Sequence, residues 1–198
     1  MNSDPVYFDR QWLTALPWKN GKGETREVIA WPPGAGATEF DWRASIATID
    51  MDGPFSLFTG IDRSITLLDG AGVHLLGDGP GHALTQPLLP FAFPGERVIQ
   101  GVLAAGPCTC FNIMTRRGRH TAETRVIRER CVIDPHAHGV LLVAEGRWQA
   151  TFSDTHRKMG ASLCPRQGYW WAEAPGGWQL DPLTETAAIL WVKIGGEP

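Results

Sequence analysis

The chain has 198 residues, of which 43% are hydrophobic and 20% are charged, and its formal net charge is -3 at pH 7. This length allows one domain or two small ones, and the slight negative charge gives no electrostatic reason to bind nucleic acid or an anionic membrane. No segment has the roughly 20 continuous apolar residues of a membrane-spanning helix, and the N-terminus lacks the features of a secretory signal. We therefore expect a cytoplasmic globular protein.

Short apolar runs recur along the chain, whereas helical signals are scarce. Glycine and proline number 23 and 15, and they interrupt most windows in which an amphipathic helix could form. The best helix candidate is Asp9 to Leu16, which Pro17 ends. Runs bounded by turn residues predict an all-β protein. These runs are Glu27–Trp31, Phe40–Asp50, Ser64–Leu68, Gly72–Leu76, Arg97–Leu103, Cys110–Thr115, Gly139–Ala144, Arg147–Phe152, Ser162–Leu163, Tyr169–Ala172 and Ala187–Ile194.

The order of strands and turns around Gly70 returns around Gly146. Each glycine follows one apolar strand and precedes another, and a turn with proline and glycine comes later in both halves. Two tandem copies of one small β-barrel explain this repetition. We expect residues 1–118 to form the first barrel and residues 119–198 the second.

Several motifs occur in order along the first two-thirds of the chain. They are Pro17-Trp18-Lys19-Asn20-Gly21 with Gly23, Thr25 and Arg26; the strand with Trp42, Arg43, Ser45 and Ala47; Asp52-Gly53-Pro54-Phe55-Ser56; Arg63; Phe93-Pro94-Gly95; and Phe111-Asn112 with Met114 and Arg116. Together they resemble the HutD/Ves family. The resemblance implies a bicupin, two tandem cupin-like (RmlC-like jelly-roll) β-barrels in one chain, without an established catalytic activity and associated with bacterial histidine utilisation.

The cupin pattern also tests for a metal site. Cupin enzymes hold a metal with histidines and one glutamate, and the glutamate precedes the turn glycine by seven residues. Seven residues before Gly70 stands Arg63, a cation in place of an anionic ligand, and seven before Gly146 stands Gly139. We therefore expect no metal and no other cofactor. The pair His136 and His138 leaves open the alternative of a metal-dependent cupin enzyme.

Polar side chains alternate with apolar ones along the strand that begins at Trp42. Arg43 and Ser45 project to one face of this strand, which meets either solvent or a cavity. If Arg63 lies inside the first barrel, its charge needs an acceptor, because an unpaired buried charge is costly. A ligand carboxylate is one possible acceptor. Internal alternatives are Asp62, Glu24 and Asp69.

The glycine-rich segment from Trp18 to Arg26 offers further hydrogen-bond donors. It lacks the Walker spacing and no helix follows it, so nucleotide binding is not expected. We place this segment at the mouth of the pocket. The candidate ligand-binding residues are Arg43, Ser45, Ser56, Phe58, Arg63, Asn112, Met114, Lys19, Asn20, Thr25 and Arg26.

The sequence singles out no catalytic residue. We expect a non-catalytic binder or sensor of a small carboxylate metabolite, and the family resemblance implies a histidine-degradation intermediate such as urocanate or N-formylglutamate. A homodimer is compatible with the sequence. Two alternatives stay open, namely a cupin enzyme (metal-dependent through His136 and His138, or a metal-free isomerase or hydrolase) and a scaffold that binds a protein at a strand edge. Trp170, Trp171 and Trp178 could stack on a sugar or pack in a core.

Overall fold

The computed structural model describes residues 4–36, 39–174 and 176–196. These residues form antiparallel β-sheets and one turn of 3-10 helix at Arg10–Trp12, and no helix among them is long and apolar enough to cross a membrane. The strands are β1 (Val6–Asp9), β2 (Ala15–Pro17), β3 (Gly23–Trp31), β4 (Trp42–Ile49), β5 (Gly53–Pro54), β6 (Ile61–Asp69), β7 (Val73–Gly77), β8 (His82–Leu84), β9 (Phe91–Pro94), β10 (Ile99–Leu103), β11 (Cys108–Arg116), β12 (His120–Ile127), β13 (Cys131–Ile133), β14 (His138–Glu145), β15 (Trp148–Ser153), β16 (Lys158–Leu163), β17 (Gln167–Ala172), β18 (Gly177–Pro182) and β19 (Ala188–Gly196).

The first compact unit comprises the described residues of Leu13–Thr121 together with Gly196. A six-stranded sheet in the order β2-β3-β4-β11-β6-β9 and a four-stranded sheet in the order β5-β10-β7-β8 build it. Both sheets contribute to one hydrophobic core, as two packed antiparallel sheets must when each buries one face. The core residues are Ile49, Ile65, Leu67, Val73, Leu75, Leu84, Phe93, Ile99, Cys108 and Cys110.

The second compact unit comprises the described residues up to Trp12 and those of Ala122–Gly195. Its two sheets have the orders β1-β17-β14-β19-β12 and β13-β18-β15-β16. Tryptophans dominate its core, where Trp148, Trp171 and Trp178 are buried. The sugar-stacking interpretation is therefore wrong for Trp171 and Trp178, because these two rings belong to the core.

The described residues from Asp4 to Trp12 group with the second compact unit. Strand β1 pairs with β17, with Val6 opposite Trp170 and Asp9 opposite Gln167. This pairing joins segments separated by about 160 positions, and no local pattern in the sequence encodes such a partner.

The helix predicted for Asp9 to Leu16 is wrong except for its single 3-10 turn. The Asp9 carboxylate accepts a hydrogen bond from the Gln11 backbone N–H at 2.9 Å, which supports the turn. The flanking segments pair with β17 and β3 instead of extending a helix. A helix of two turns is marginal by itself, so sheet pairing on both sides outweighs it.

Candidate ligand-binding cavity

A cavity of about 600 Å³ lies in the first unit. Ten of the eleven predicted binding residues line it, and Arg26 is the exception. The ten are Lys19, Asn20, Thr25, Arg43, Ser45, Ser56, Phe58, Arg63, Asn112 and Met114. The structure thus brings together side chains from β3, β4, β6, β11 and the loops beside them.

Strand register explains why these separated residues meet. Arg43 of β4 and Arg63 of β6 both lie opposite Met114 of β11, one on each side. In the same sheet Ser45 lies opposite Asn112. Residues two apart on a strand share a face, so both rows point to the same side of the sheet. The polar face of the strand that begins at Trp42 therefore meets a cavity.

Arg63 is the central feature of the cavity wall. Only 8% of this residue is exposed, and its guanidinium carbon lies 4.8 Å from the ring centroid of Phe93, 5.4 Å from that of Phe58 and 5.6 Å from that of Phe55. Its Nη1 donates to the Ser56 carbonyl oxygen at 3.2 Å, whereas the buried Nε has no hydrogen-bond partner. Aromatic faces attract a cation but do not neutralise it.

The three carboxylates considered as internal partners of Arg63 interact elsewhere. These contacts are Asp62 Oδ1 with Arg117 Nη2 at 2.6 Å, Glu24 Oε1 with Arg26 Nε at 3.2 Å, and Asp69 Oδ1 with the Gly70 backbone N–H at 2.9 Å. Within the described residues, Arg63 forms no ion pair. None of these three carboxylates therefore compensates the charge of Arg63.

The charge on Arg63 persists at physiological pH. Burial, and secondarily the positive charge of Arg43, lowers the pKa of Arg63 to about 10. This value lies well above neutral pH, so the guanidinium remains protonated there. Arg43 differs because its Nε donates to Glu27 Oε2 at 2.7 Å. Arg63 is therefore the uncompensated cation of the pair.

Two further polar side chains are buried on the same wall. Ser45 is 3% exposed and Asn112 is 6% exposed, and both line the cavity. A hydroxyl and an amide supply both donors and acceptors. They can therefore orient a polar group of a molecule held at Arg63.

The rim of the cavity is formed by the turn between β2 and β3. The Trp18 indole N–H donates to Thr25 Oγ1 at 2.8 Å, which ties the turn to β3. Lys19 and Asn20 follow Trp18 and are exposed at the rim. Within the described part of the chain, the cavity wall carries lysine and arginine but no aspartate, glutamate, histidine or cysteine.

Arg26 points away from this cavity because side chains alternate along β3. Thr25 faces the cavity, so its neighbour takes the opposite face of the sheet. There the Arg26 Nη1 donates to the Leu13 carbonyl oxygen at 2.6 Å, and its Nε contacts Glu24. The predicted role of Arg26 at the pocket mouth is corrected accordingly.

Sequence reasoning did not select the aromatic residues Phe55 and Phe93 around Arg63. Both belong to motifs that the sequence analysis names, and Phe55 stands next to the selected Ser56, so a signal existed. Phe93 lies directly opposite Arg63 in the pairing of β6 with β9. That contact becomes visible only when the strand pairing is known.

The residues His136 and His138 lie in the second unit. Among the described residues, no group of three histidine, cysteine, aspartate or glutamate side chains is arranged to hold a metal ion. The His136 backbone carbonyl accepts a hydrogen bond from the Trp171 indole N–H at 2.9 Å. The structure therefore gives the metal-dependent alternative no supporting geometry.

Comparison with known proteins places the whole chain in one family. The HutD family model matches residues 10–190. The protein Ves of Cronobacter sakazakii is 37% identical over 189 residues, which cover 95% of this chain and 97% of that protein. The protein Ves of Escherichia fergusonii is 41% identical over 195 residues, which cover 97% and 95%.

Solved structures show the same fold. HutD from Pseudomonas fluorescens SBW25 superposes with a TM-score of 0.80 at 24% identity, covering 98% of this chain and 100% of that one. Oxalate decarboxylase from Lactobacillus farciminis, a cupin-fold protein, superposes with a TM-score of 0.67 at 7% identity, covering 99% and 89%. The predicted all-β bicupin fold is confirmed. The chain belongs to the HutD family.

Proposed function

We propose that this HutD-family bicupin binds a small carboxylate metabolite in the first-unit cavity and acts as a non-catalytic binder or sensor. The observation that carries the proposal is Arg63, a buried cation without a carboxylate partner among the described residues and facing a cavity of about 600 Å³. A buried charge of this kind is costly unless something compensates it. A ligand carboxylate supplies that compensation.

The contacts of Arg63 suggest how the carboxylate is held. Nη1 is engaged by the Ser56 carbonyl, whereas Nε has no partner. Because Nε has almost no accessible surface, a ligand reaches Arg63 through Nη2, which the described hydrogen bonds leave free to donate to a carboxylate oxygen.

The remaining wall suggests the body of the ligand. Phe55, Phe58 and Met114 give it an apolar surface, and Ser45 and Asn112 add hydrogen-bonding groups. Urocanate has a flat conjugated body with polar imidazole nitrogens. N-formylglutamate has a second carboxylate that the rim residue Lys19 could pair. Both compounds are proposed because the resemblance to the HutD/Ves family implies a link to histidine utilisation.

The composition of the wall supports a binder more than an enzyme. General acid–base catalysis near neutral pH most often uses histidine or a carboxylate within hydrogen-bond reach of the substrate. The described wall supplies neither. Lysine and arginine are less suited to that role, because their ordinary pKa values lie far above neutral pH.

A thermal denaturation series with matched ligands tests the proposal. Urocanate and N-formylglutamate are each titrated by scanning calorimetry, with urocanamide as the uncharged analogue. At a ligand concentration of 100 Kd we expect about 2.7 kcal/mol of added stability from the acid that binds. That corresponds to a rise of roughly 5–11 °C in the midpoint. The amide should give almost none.

Two outcomes contradict the proposal. If neither acid moves the midpoint, or if urocanamide moves it as much as urocanate, then carboxylate recognition is not the function of the cavity. Chromatography of the recovered ligand completes the test. Net conversion of urocanate or N-formylglutamate by the purified protein would favour the alternative of a metal-free enzyme.

A further inference from the structure

The first-unit cavity follows one strand of its sheet for most of that strand's length. Four alternate residues of β4 line it, namely Arg43, Ser45, Ala47 and Ile49. Alternate residues share one face of a strand, so these side chains belong to a single wall. From the first to the last, the strand advances roughly 20 Å at about 3.4 Å per residue. The cavity is therefore elongated along β4.

Charged and polar side chains of the sheet gather at one end of this axis. There the pairing of β4, β11 and β6 places Arg43, Met114 and Arg63 side by side. The next row, two residues further along β4, contains Ser45 and Asn112. A carboxylate and the atoms next to it therefore find their partners at this end.

Apolar side chains line most of the remaining axis. In the next row, the pairing of β2, β3 and β4 places Leu16, Thr25 and Ala47 side by side. The Thr25 hydroxyl already accepts a hydrogen bond from the Trp18 indole. Ile49 follows on β4. A molecule that continues from Arg63 into this part gains by burying hydrocarbon, because apolar surface is removed from water.

The segment after β5 follows the same axis. It begins beside the turn between β2 and β3, where Lys22 Nζ donates to the Asp52 carbonyl oxygen at 2.6 Å. It reaches the charged end where the Ser56 carbonyl accepts from Arg63. Phe55 lies between these two contacts and adds apolar surface to the cavity. Sheet and segment thus bound the cavity in the same direction.

We infer that this cavity takes an amphipathic monocarboxylate with an unbranched apolar chain. The inference rests on the proposed function and names the class of molecule that the same site binds. The carboxylate lies at Arg63 Nη2, and the chain runs along β4 past Ala47 to Ile49. Urocanate and N-formylglutamate occupy only the Arg63 end. Ligand pockets of roughly 300–1,000 Å³ enclose most of a drug-sized molecule, so about 600 Å³ accommodates such a chain.

Calorimetric titration of the full chain with linear acids tests this inference. The probes are pentanoate, heptanoate and nonanoate. The control is 2-(2-methoxyethoxy)acetate, which matches heptanoate in charge and chain length but carries two ether oxygens. We expect affinity to rise roughly tenfold for every two methylene groups added, with an increasingly negative heat-capacity change. The ether should bind about tenfold more weakly than heptanoate, because its oxygens lose water without gaining partners.

Two variants locate the chain in the cavity. Ala47→Leu fills the path of the chain, so it should weaken nonanoate at least about tenfold and leave the shorter pentanoate nearly unchanged. Leu16→Ser removes apolar surface at an exposed position, where folding does not depend on it, and should weaken nonanoate roughly threefold. Leu76→Ser is the matched control, because Leu76 is similarly exposed on β7 but is not part of the described cavity wall.

Several results overturn this inference. They are equal affinities along the series, an ether that binds as tightly as heptanoate, and a nonanoate affinity that Leu16→Ser lowers no more than Leu76→Ser does. A heptanoate affinity that Arg63→Met does not lower also overturns it, because the acid then binds elsewhere. If urocanate or N-formylglutamate binds and the linear acids do not, only the amphipathic class is wrong. If no carboxylate binds, the proposed function itself is wrong.

Discussion

Replacing Arg63 with methionine is expected to make the ligand-free protein more stable while it removes carboxylate binding. Methionine fills a similar volume among Phe55, Phe58 and Phe93 but carries no charge to desolvate. We expect the free energy of unfolding to rise by about 1–2 kcal/mol, since replacing buried charge with apolar atoms is often stabilising. Carboxylate affinity should fall about 100-fold, because a buried charge-assisted pair is lost.

The matched control for this variant is Arg26→Met. Arg26 lies on the same six-stranded sheet and carries the same charge, but it faces away from the cavity and pairs with Glu24 and the Leu13 carbonyl. We expect this variant to be neutral or slightly destabilised and to bind the carboxylate as the parent does. Chemical denaturation and calorimetric titration measure both quantities.

The opposite pattern would contradict the role proposed for Arg63. If Arg63→Met lowers the free energy of unfolding by several kcal/mol, the guanidinium is a structural group that the fold needs. If the variant retains full carboxylate affinity, the anion binds elsewhere. A rise in stability together with a loss of binding is the signature of a residue kept for its ligand at a cost to the fold.

Replacing Gly139 with alanine is expected to be strongly destabilising. Gly139 lies on β14 between β17 and β19, and a Cβ atom there would approach Trp171 Cζ2 and Trp191 Cζ3 to 2.5 Å each. These two indoles stack with a centroid distance of 5.3 Å and an interplanar angle of 8°. Trp171 is fully buried and Trp191 is 6% exposed, so neither ring has room to withdraw.

We expect Gly139→Ala to cost about 3 kcal/mol, at the upper end of overpacking effects in cores. The midpoint of thermal unfolding should fall by roughly 6–12 °C. Near-ultraviolet circular dichroism of the tryptophans measures this midpoint. Gly81→Ala is the control, because its nearest contact would be 3.4 Å from Leu76 Cδ2 at an exposed position. We expect this control to unfold within roughly 2 °C of the parent, as is typical of a surface change. If Gly139→Ala also stays within that range, the indole pair can shift to accept the Cβ atom.

The strand prediction shows what local patterns can supply. Apolar runs such as Cys110–Thr115 and Gly139–Ala144 fall inside β11 and β14, because each is short, apolar and bounded by turn residues. Strand β12 was not predicted. Its burial alternates along HTAETRVI, but its apolar positions are few and weak. Strand β18 was missed because it begins at a glycine and ends at a proline, so that in isolation it resembles a loop.

The sequence by itself determined the fold class and the identity of the central cation. Period-two patterns and turn residues are local properties, so they indicated an all-β chain, and counting back from Gly70 singled out Arg63. Alternation also predicts which face of a sheet each strand residue occupies. Applied to β3, it would have placed Arg26 on the opposite face from Thr25 and excluded Arg26 from the predicted site. Tertiary structure decided which residues meet. Register across β4, β11 and β6 brought Arg43, Met114 and Arg63 into one row, and it set Phe93 beside the guanidinium. Only the pairing of strands that are distant in sequence determines these contacts, because the residues between two paired strands do not specify their register.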